Sequence, residues 1–378
     1  MRWVTRFLTV GAAAATLALA VGVTPASALR SAPRTAPEFN GGVYAIAYRG
    51  STVYVGGSFT SAVSAGRLYS RPRLAAFDSR TGELLSWAPS ADGTVRALAI
   101  VDGSIYAAGD FHAVSGWRRD AIARLDVFSG AVGSFSHQVT GTPYALSIAG
   151  GRLYLGGSFD SVDGAWRANL AAFRLSTGRL DDGWRPNADA AVHAVTAYGA
   201  RVYVGGIFGA VNDVRGSPSL VAISASNGSV DRGFRPGPQA EVNAIAADDG
   251  GVYVATGGRG GRAAAFTFGG SLRWQRVFDG DAVAITTLNR VAYVGGHFDK
   301  ACRTVRNGAH GACTNGSQPR VKLAAVTSSG ALSDWAPQAN GVIGVRVLAT
   351  DRSRGTISAG GDFTLMNGHT RRRYASFD

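Results

Sequence analysis

The chain has 378 residues, 46% of them hydrophobic and 17% charged, with 52 glycines and a formal net charge of +13 that is carried almost wholly by arginine. That balance excludes a disordered or collagen-like polymer and leaves enough chain for a large buried core. Two cysteines, Cys302 and Cys313, exclude a disulfide-dense scaffold, and with one nearby histidine, His310, they fall short of a four-ligand metal site, so neither a metal nor another cofactor is expected.

At the start of the chain, Arg2 and Arg6 precede an apolar run over 7–23 that closes on Ala26-Ser27-Ala28. A basic head, a short apolar stretch and a small-x-small end form a secretory signal, so residues 1–28 are set aside and 29–378 are expected to be secreted, extracellular and monomeric. A retained anchor is the alternative, but the run is short and ends in Pro25 and small residues. In an oxidising compartment Cys302 and Cys313 are expected to form one disulfide.

From residue 53 a motif recurs seven times: 53–59 VYVGGSF, 105–111 IYAAGDF, 153–159 LYLGGSF, 202–208 VYVGGIF, 252–258 VYVATGG, 292–298 AYVGGHF and 357–363 ISAGGDF. Each copy holds short alternating apolar runs divided by Gly, Asn or Asp turns, the signal of half-buried strands. In the third copy the spacing predicts strands at 144–147, 153–159 and 170–173 and a fourth ending at Trp184-Arg185-Pro186. A four-strand unit repeated at roughly 50 residues predicts an all-β fold, a seven-bladed β-propeller of four-stranded blades. The blades fall near 41–92, 93–140, 141–189, 190–239, 240–280, 281–341 and 342–378, within one domain.

The seventh copy stops at Phe377-Asp378, which aligns with Phe77-Asp78 at the end of a third strand, so its fourth strand is missing. Thr35-Ala36-Pro37 stands before Val43 as Trp87-Ala88-Pro89 stands before Val95. Residues 33–40 are therefore expected to complete the last blade and close the ring, which removes an open sheet edge.

These seven segments, with Val162-Asp163-Gly164 and the Leu-Ala-Ala-Phe of 74–77, resemble the delta-60 repeat of bacterial secreted proteins and, more distantly, kelch repeats. The resemblance spans about residues 35–378 and implies a propeller, but it implies no particular chemistry.

A residue present in every copy serves the scaffold, whereas a ligand site needs residues that differ between copies. The 2-to-3 connections vary most in length and gather seventeen basic residues against five acids, Asp120, Asp160, Asp163, Asp213 and Asp299. A one-sided basic surface attracts polyanions. Arg71, Arg119, Arg167, Arg320 and Arg371, each three residues before strand 3, read alternatively as locally paired caps. Trp117 with Arg118 and Arg119, and Trp166 with Arg167, lie on adjacent connections and suit stacking on a sugar or a partner side chain, or else lid their own blades. A second candidate set occupies one position near the start of strand 1, namely Tyr44, Arg96, Tyr144, His193, Asn243, Val283 and Arg346, read either as a ligand ring at the channel mouth or as blade packing.

No nucleophile elbow, zinc-helix motif, phosphate loop or calcium loop occurs, so no catalytic residue is assigned. The expected function is a binding platform for an anionic cell-wall polymer, a polysaccharide or an acidic partner protein. An extracellular address argues against nucleic acid. The alternative is a carbohydrate- or peptide-active enzyme with its site among the strand-1 set.

Overall fold

The computed structural model describes residues 1, 29–215, 218–237 and 239–378, so the secretory segment read at 1–28 lies, Met1 apart, outside the described residues. No helix among the described residues is long and apolar enough to cross a membrane.

The described residues are all-β and build seven antiparallel meanders in sequence order. Sheet one is Val43–Arg49, Thr52–Gly57 and Leu74–Asp78; sheet two is Val95–Val101, Ser104–Gly109, Ile122–Asp126 and Val132–Ser136; sheet three is Val139–Ala149, Arg152–Val162 and Leu170–Arg174. Sheet four is Val192–Tyr198, Arg201–Gly206 and Leu220–Ser224; sheet five is Val242–Asp248, Gly251–Thr256, Arg262–Phe266 and Leu272–Val277. Sheet six is Ala282–Leu288, Val291–Gly296 and Leu323–Val326, and sheet seven is Val345–Asp351, Thr356–Gly361 and Tyr374–Phe377.

The expectation of four regular strands per unit is corrected. Among the described residues only sheets two and five carry a continuous fourth strand; in sheets one, three, four and six the outer segment is reduced to one bridge, Phe77 to Leu84, Phe173 to Leu180, Ile223 to Val230 and Val326 to Leu332. The reason is proline. Those four outer segments contain Pro89, Pro186, Pro236 and Pro337, whereas the outer strands of sheets two and five contain none. Proline offers no N–H to a ladder and ends the pairing.

Cores form between neighbouring sheets, as in the cluster of Tyr54, Leu74 and Trp87 from sheet one with Val95, Ile105 and Leu125 from sheet two. The first glycine of the repeated pair is the seat of the next sheet: a methyl group on Gly56 would collide with Val95, on Gly156 with Val192 and Val195, on Gly205 with Val242 and on Gly295 with Val345. Gly360 of sheet seven meets Val43 of sheet one in the same way. Hydrogen bonds cross the same seams, from Tyr54 Oη to Val127 O at 2.7 Å and from Trp184 Nε1 to Ser224 O at 3.0 Å.

Residues 30–39 lie beside the C-terminal segment. Arg30 N donates to Asp378 O at 3.0 Å and Arg34 N to Ser376 O at 2.9 Å, the Arg34 guanidinium pairs with the Asp378 carboxylate, and Trp335 Nε1 donates to Arg30 O at 3.3 Å. Glu38–Phe39 then pairs with Ser61–Ser64 of the first 2-to-3 connection.

Candidate functional site

The 2-to-3 connections are themselves small hairpins, for example Ser61–Ser64 with Arg67–Ser70 and Ala113–Val114 with Trp117–Arg118. Their tips, Ala65-Gly66, Ser115-Gly116, Asp163-Gly164 and Asn367-Gly368, hold positive φ at both residues, as a two-residue hairpin turn requires. The segments leaving sheets one, three, five and six bridge the next sheet's hairpin: Ala91 to Val114, Ala188 to Val211, Phe278 to Ala301 and Ala339 to Met366. An Asn or Asp side chain locks the junction. Asp92 Oδ1 accepts the N–H groups of His112 at 2.8 Å and Ala113 at 2.9 Å, and Asn40, Asp189, Asp279 and Asn340 do the same elsewhere. The 4-to-1 and 2-to-3 connections thereby share one face.

On that face the strand-1 set is brought together. Tyr44, Arg96, Tyr144, His193, Asn243, Val283 and Arg346, one from each sheet, line a single cavity of about 240 Å³. The local cause is a β-bulge: in every sheet the pairing of strands 1 and 2 skips this residue, as between Val43 and Ala45 or Val95 and Ala97. A bulged residue is unpaired and its side chain is re-aimed, here into the cavity.

Within the ring the polar groups are organised in pairs. Arg96 Nε lies 2.9 Å from both carboxylate oxygens of Asp110, and its guanidinium carbon sits 5.6 Å from the centre of the Tyr144 ring. The bond to Asp110 holds the Arg96 pKa above its ordinary value. Arg346 repeats the arrangement with the Asp362 carboxylate and, at 5.4 Å, the Tyr44 ring. His193 Nδ1 stands 3.2 Å from Glu241 Oε1, and Asn243 Nδ2 donates to Ala282 O at 3.0 Å. Sequence reasoning missed Asp110 and Asp362. Asp110 follows Ala108-Gly109 and Asp362 follows Gly360-Gly361, the same position of the repeat, and both copies carry Arg in the ring, whereas the two copies with ring Tyr carry Ser there, Ser58 and Ser158.

Trp117 and Trp166 are 63% and 64% exposed, so neither lids its own sheet. Between sheets two and three a groove of about 580 Å³ is walled by Asp110, His112, Arg118, Asp120 and residues 138–142. Arg118 is exposed and meets Asp120 Oδ2 at 3.1 Å.

Arg119 and Arg167 are corrected as ligand contacts. Arg119 donates to Arg118 O and Gly133 O, and Arg167, 3% exposed, donates to Trp166 O and Asp182 Oδ1. Arg71, Arg320 and Arg371 make equivalent bonds, so all five bolt a hairpin to an outer segment. Lys322, with Asp299 at 2.7 Å, and Arg373, on Asp362 O, are turned inward as well. The outward basic groups are thus fewer than the sequence count and include Arg67, Arg118, Arg259, Arg262, Lys300, Arg303 and Arg306.

Cys302 and Cys313 form the expected disulfide. The loop they staple folds over sheet five, whose own 2-to-3 connection is shortened: Asn307 Nδ2 donates to Arg259 O, and Gly311 packs against Gly260. Among the described residues no cluster of His, Cys, Asp or Glu is arranged to hold a metal ion.

No family model matches the chain, and no curated protein sequence matches it. Among solved structures it is similar to the WD40 β-propeller domain of Doa1, at 13% identity and a TM-score of 0.57, over 92% of this chain and 96% of that one. A computationally designed protein, Ika8, matches at 15% identity and a TM-score of 0.48, over 90% and 98%. The Doa1 likeness and the succession of meanders define an all-β propeller-type repeat protein.

Proposed function

We propose that residues 29–378 form one secreted seven-bladed propeller of the delta-60 type, closed by 33–40 beside sheet seven, whose loop face binds an acidic cell-surface polysaccharide. The observation that carries this reading is the pair of exposed tryptophans, Trp117 and Trp166, on the adjacent hairpins of sheets two and three, the two sheets that wall the groove holding Arg118. Large exposed aromatic planes stack on sugar rings, and the outward basic groups of the 2-to-3 connections supply attraction to carboxylates. The carboxylates about the mouth are engaged by cations, Asp110 by Arg96 and Asp362 by Arg346, which favours holding a ligand over exchanging protons with it.

The test is affinity electrophoresis of the protein in gels containing polygalacturonate, with dextran as the neutral control, at two salt concentrations. Retardation by polygalacturonate alone, reduced by salt and by about tenfold or more in Trp117→Ala/Trp166→Ala, is expected. Equal retardation by dextran, or none in either gel, overturns the reading. Release of reducing ends that His193→Ala abolishes would replace it with the enzyme alternative.

A further inference from the structure

The two ring arginines are held on two sides and open on the third. The Nε edge of Arg96 meets Asp110 and its plane lies on Tyr144; Arg346 meets Asp362 and lies on Tyr44. A guanidinium has five N–H donors, and these contacts leave the Nη1 donors of both without a protein acceptor among the described residues. Both side chains are partly exposed, 40% and 37%, and both line the same cavity. Unspent, pre-oriented forks in a concave site match the planar oxygens of a carboxylate. A doubly charged phosphate fits less well, because Asp110, Asp362 and Glu241 already balance the cations of the mouth. At about 240 Å³ the cavity admits one ring-sized group and no passing chain. The groove between sheets two and three reaches this mouth at the Arg96–Asp110 pair.

We propose that the axial mouth is an end-reading subsite, in which Arg96 and Arg346 take the carboxylate of the terminal uronic acid of the polysaccharide lying in the groove. This inference rests on the polysaccharide reading above, and it deepens that reading by placing recognition of a chain end apart from recognition of the chain.

The experiment is calorimetric titration of the mature protein with D-galacturonate, its methyl ester, D-galactose, inorganic phosphate and a short peptide with a free C-terminal carboxylate. Galacturonate is expected to bind, with the ester, galactose, phosphate and the peptide weaker by about tenfold or more, and Arg96→Gln and Arg346→Gln each to lower galacturonate affinity by at least that factor. Arg346→Lys, which keeps the charge and loses the fork, should also weaken binding. If a glutamine variant fails to fold, the acid-against-ester ratio on the unaltered protein decides. The inference is overturned if the ester or galactose matches the acid, if phosphate or the peptide binds more tightly, or if the variants bind galacturonate as before. Galacturonate binding without polygalacturonate retardation would sink the polysaccharide reading and keep the subsite; retardation without galacturonate binding would do the reverse.

Discussion

Asp181 shows how a single side chain ties three parts of a sheet together. It is fully buried and accepts from Arg152 Nε at 2.7 Å, Arg174 Nη2 at 2.9 Å and Gly183 N at 3.0 Å. Burial alone would raise its pKa, but the hydrogen bonds from Arg174, Arg152 and Gly183 outweigh it and hold the value at about 2. A depressed carboxylate stabilises the fold fully above its unfolded value of 3.8, and that contribution is lost as pH falls through about 2. Asp181→Asn is expected to cost roughly 2 kcal/mol at neutral pH and to flatten the acid limb of stability between pH 4 and 2, as measured by urea unfolding across that range. The ring was legible at this scale because one position changed from copy to copy while its neighbours stayed fixed. Its carboxylate partners were hidden, since Asp110 and Asp362 stand inside a motif that reads as pure scaffold, and a contact between strands leaves no mark in linear spacing. For Arg119 and Arg167 the sequence left a ligand contact and a locally paired cap both open, because an outward and an inward-bolted arginine look alike in sequence; their bonds are those of caps.

The inner three strands of every sheet were visible as alternating runs around the Gly pair, and six of the seven also carry the strand-2 tyrosine. Copy seven has Ser358 there, and Tyr374 from strand 3 fills the space, with its hydroxyl on Ser358 Oγ at 2.5 Å. The outer strands were over-read, because Trp-x-Pro marks the place of a fourth strand while its proline prevents the ladder from forming. The hairpin junctions escaped notice, since Asn40, Asp92, Asp189, Asp279 and Asn340 look like ordinary turn residues. Asp92→Ala removes an acceptor from two backbone N–H groups and is expected to cost about 1–2 kcal/mol in urea unfolding, with faster amide exchange at His112 and Ala113. The stapled loop of sheet six substitutes for the hairpin that sheet five lacks. Opening the disulfide in Cys302→Ser/Cys313→Ser, whose partners are 11 residues apart, is expected to lower stability by roughly 3 kcal/mol in chain-entropy terms. Calorimetric unfolding of the variant measures this, and galacturonate titration should be unaffected because no ring residue lies in the loop.

At the scale of the molecule, the strand-1 residues of all seven sheets meet around one cavity, and Val43 of sheet one seats on Gly360 of sheet seven. A proposed closed ring explains both, and it explains why the variable connections collect on one face. Its seam depends on a short N-terminal segment whose bonds to sheet seven are few. Hydrogen exchange at Arg30, Arg34 and Phe39, whose N–H groups donate to Asp378, Ser376 and Arg372, reads that seam directly. The account expects these three amides to exchange as slowly as those of Tyr374–Phe377 beside them, in one cooperative unit. Exchange at unfolded-chain rates at all three, while Tyr374–Phe377 stays protected, would show an open end and contradict the ring on which the axial mouth depends.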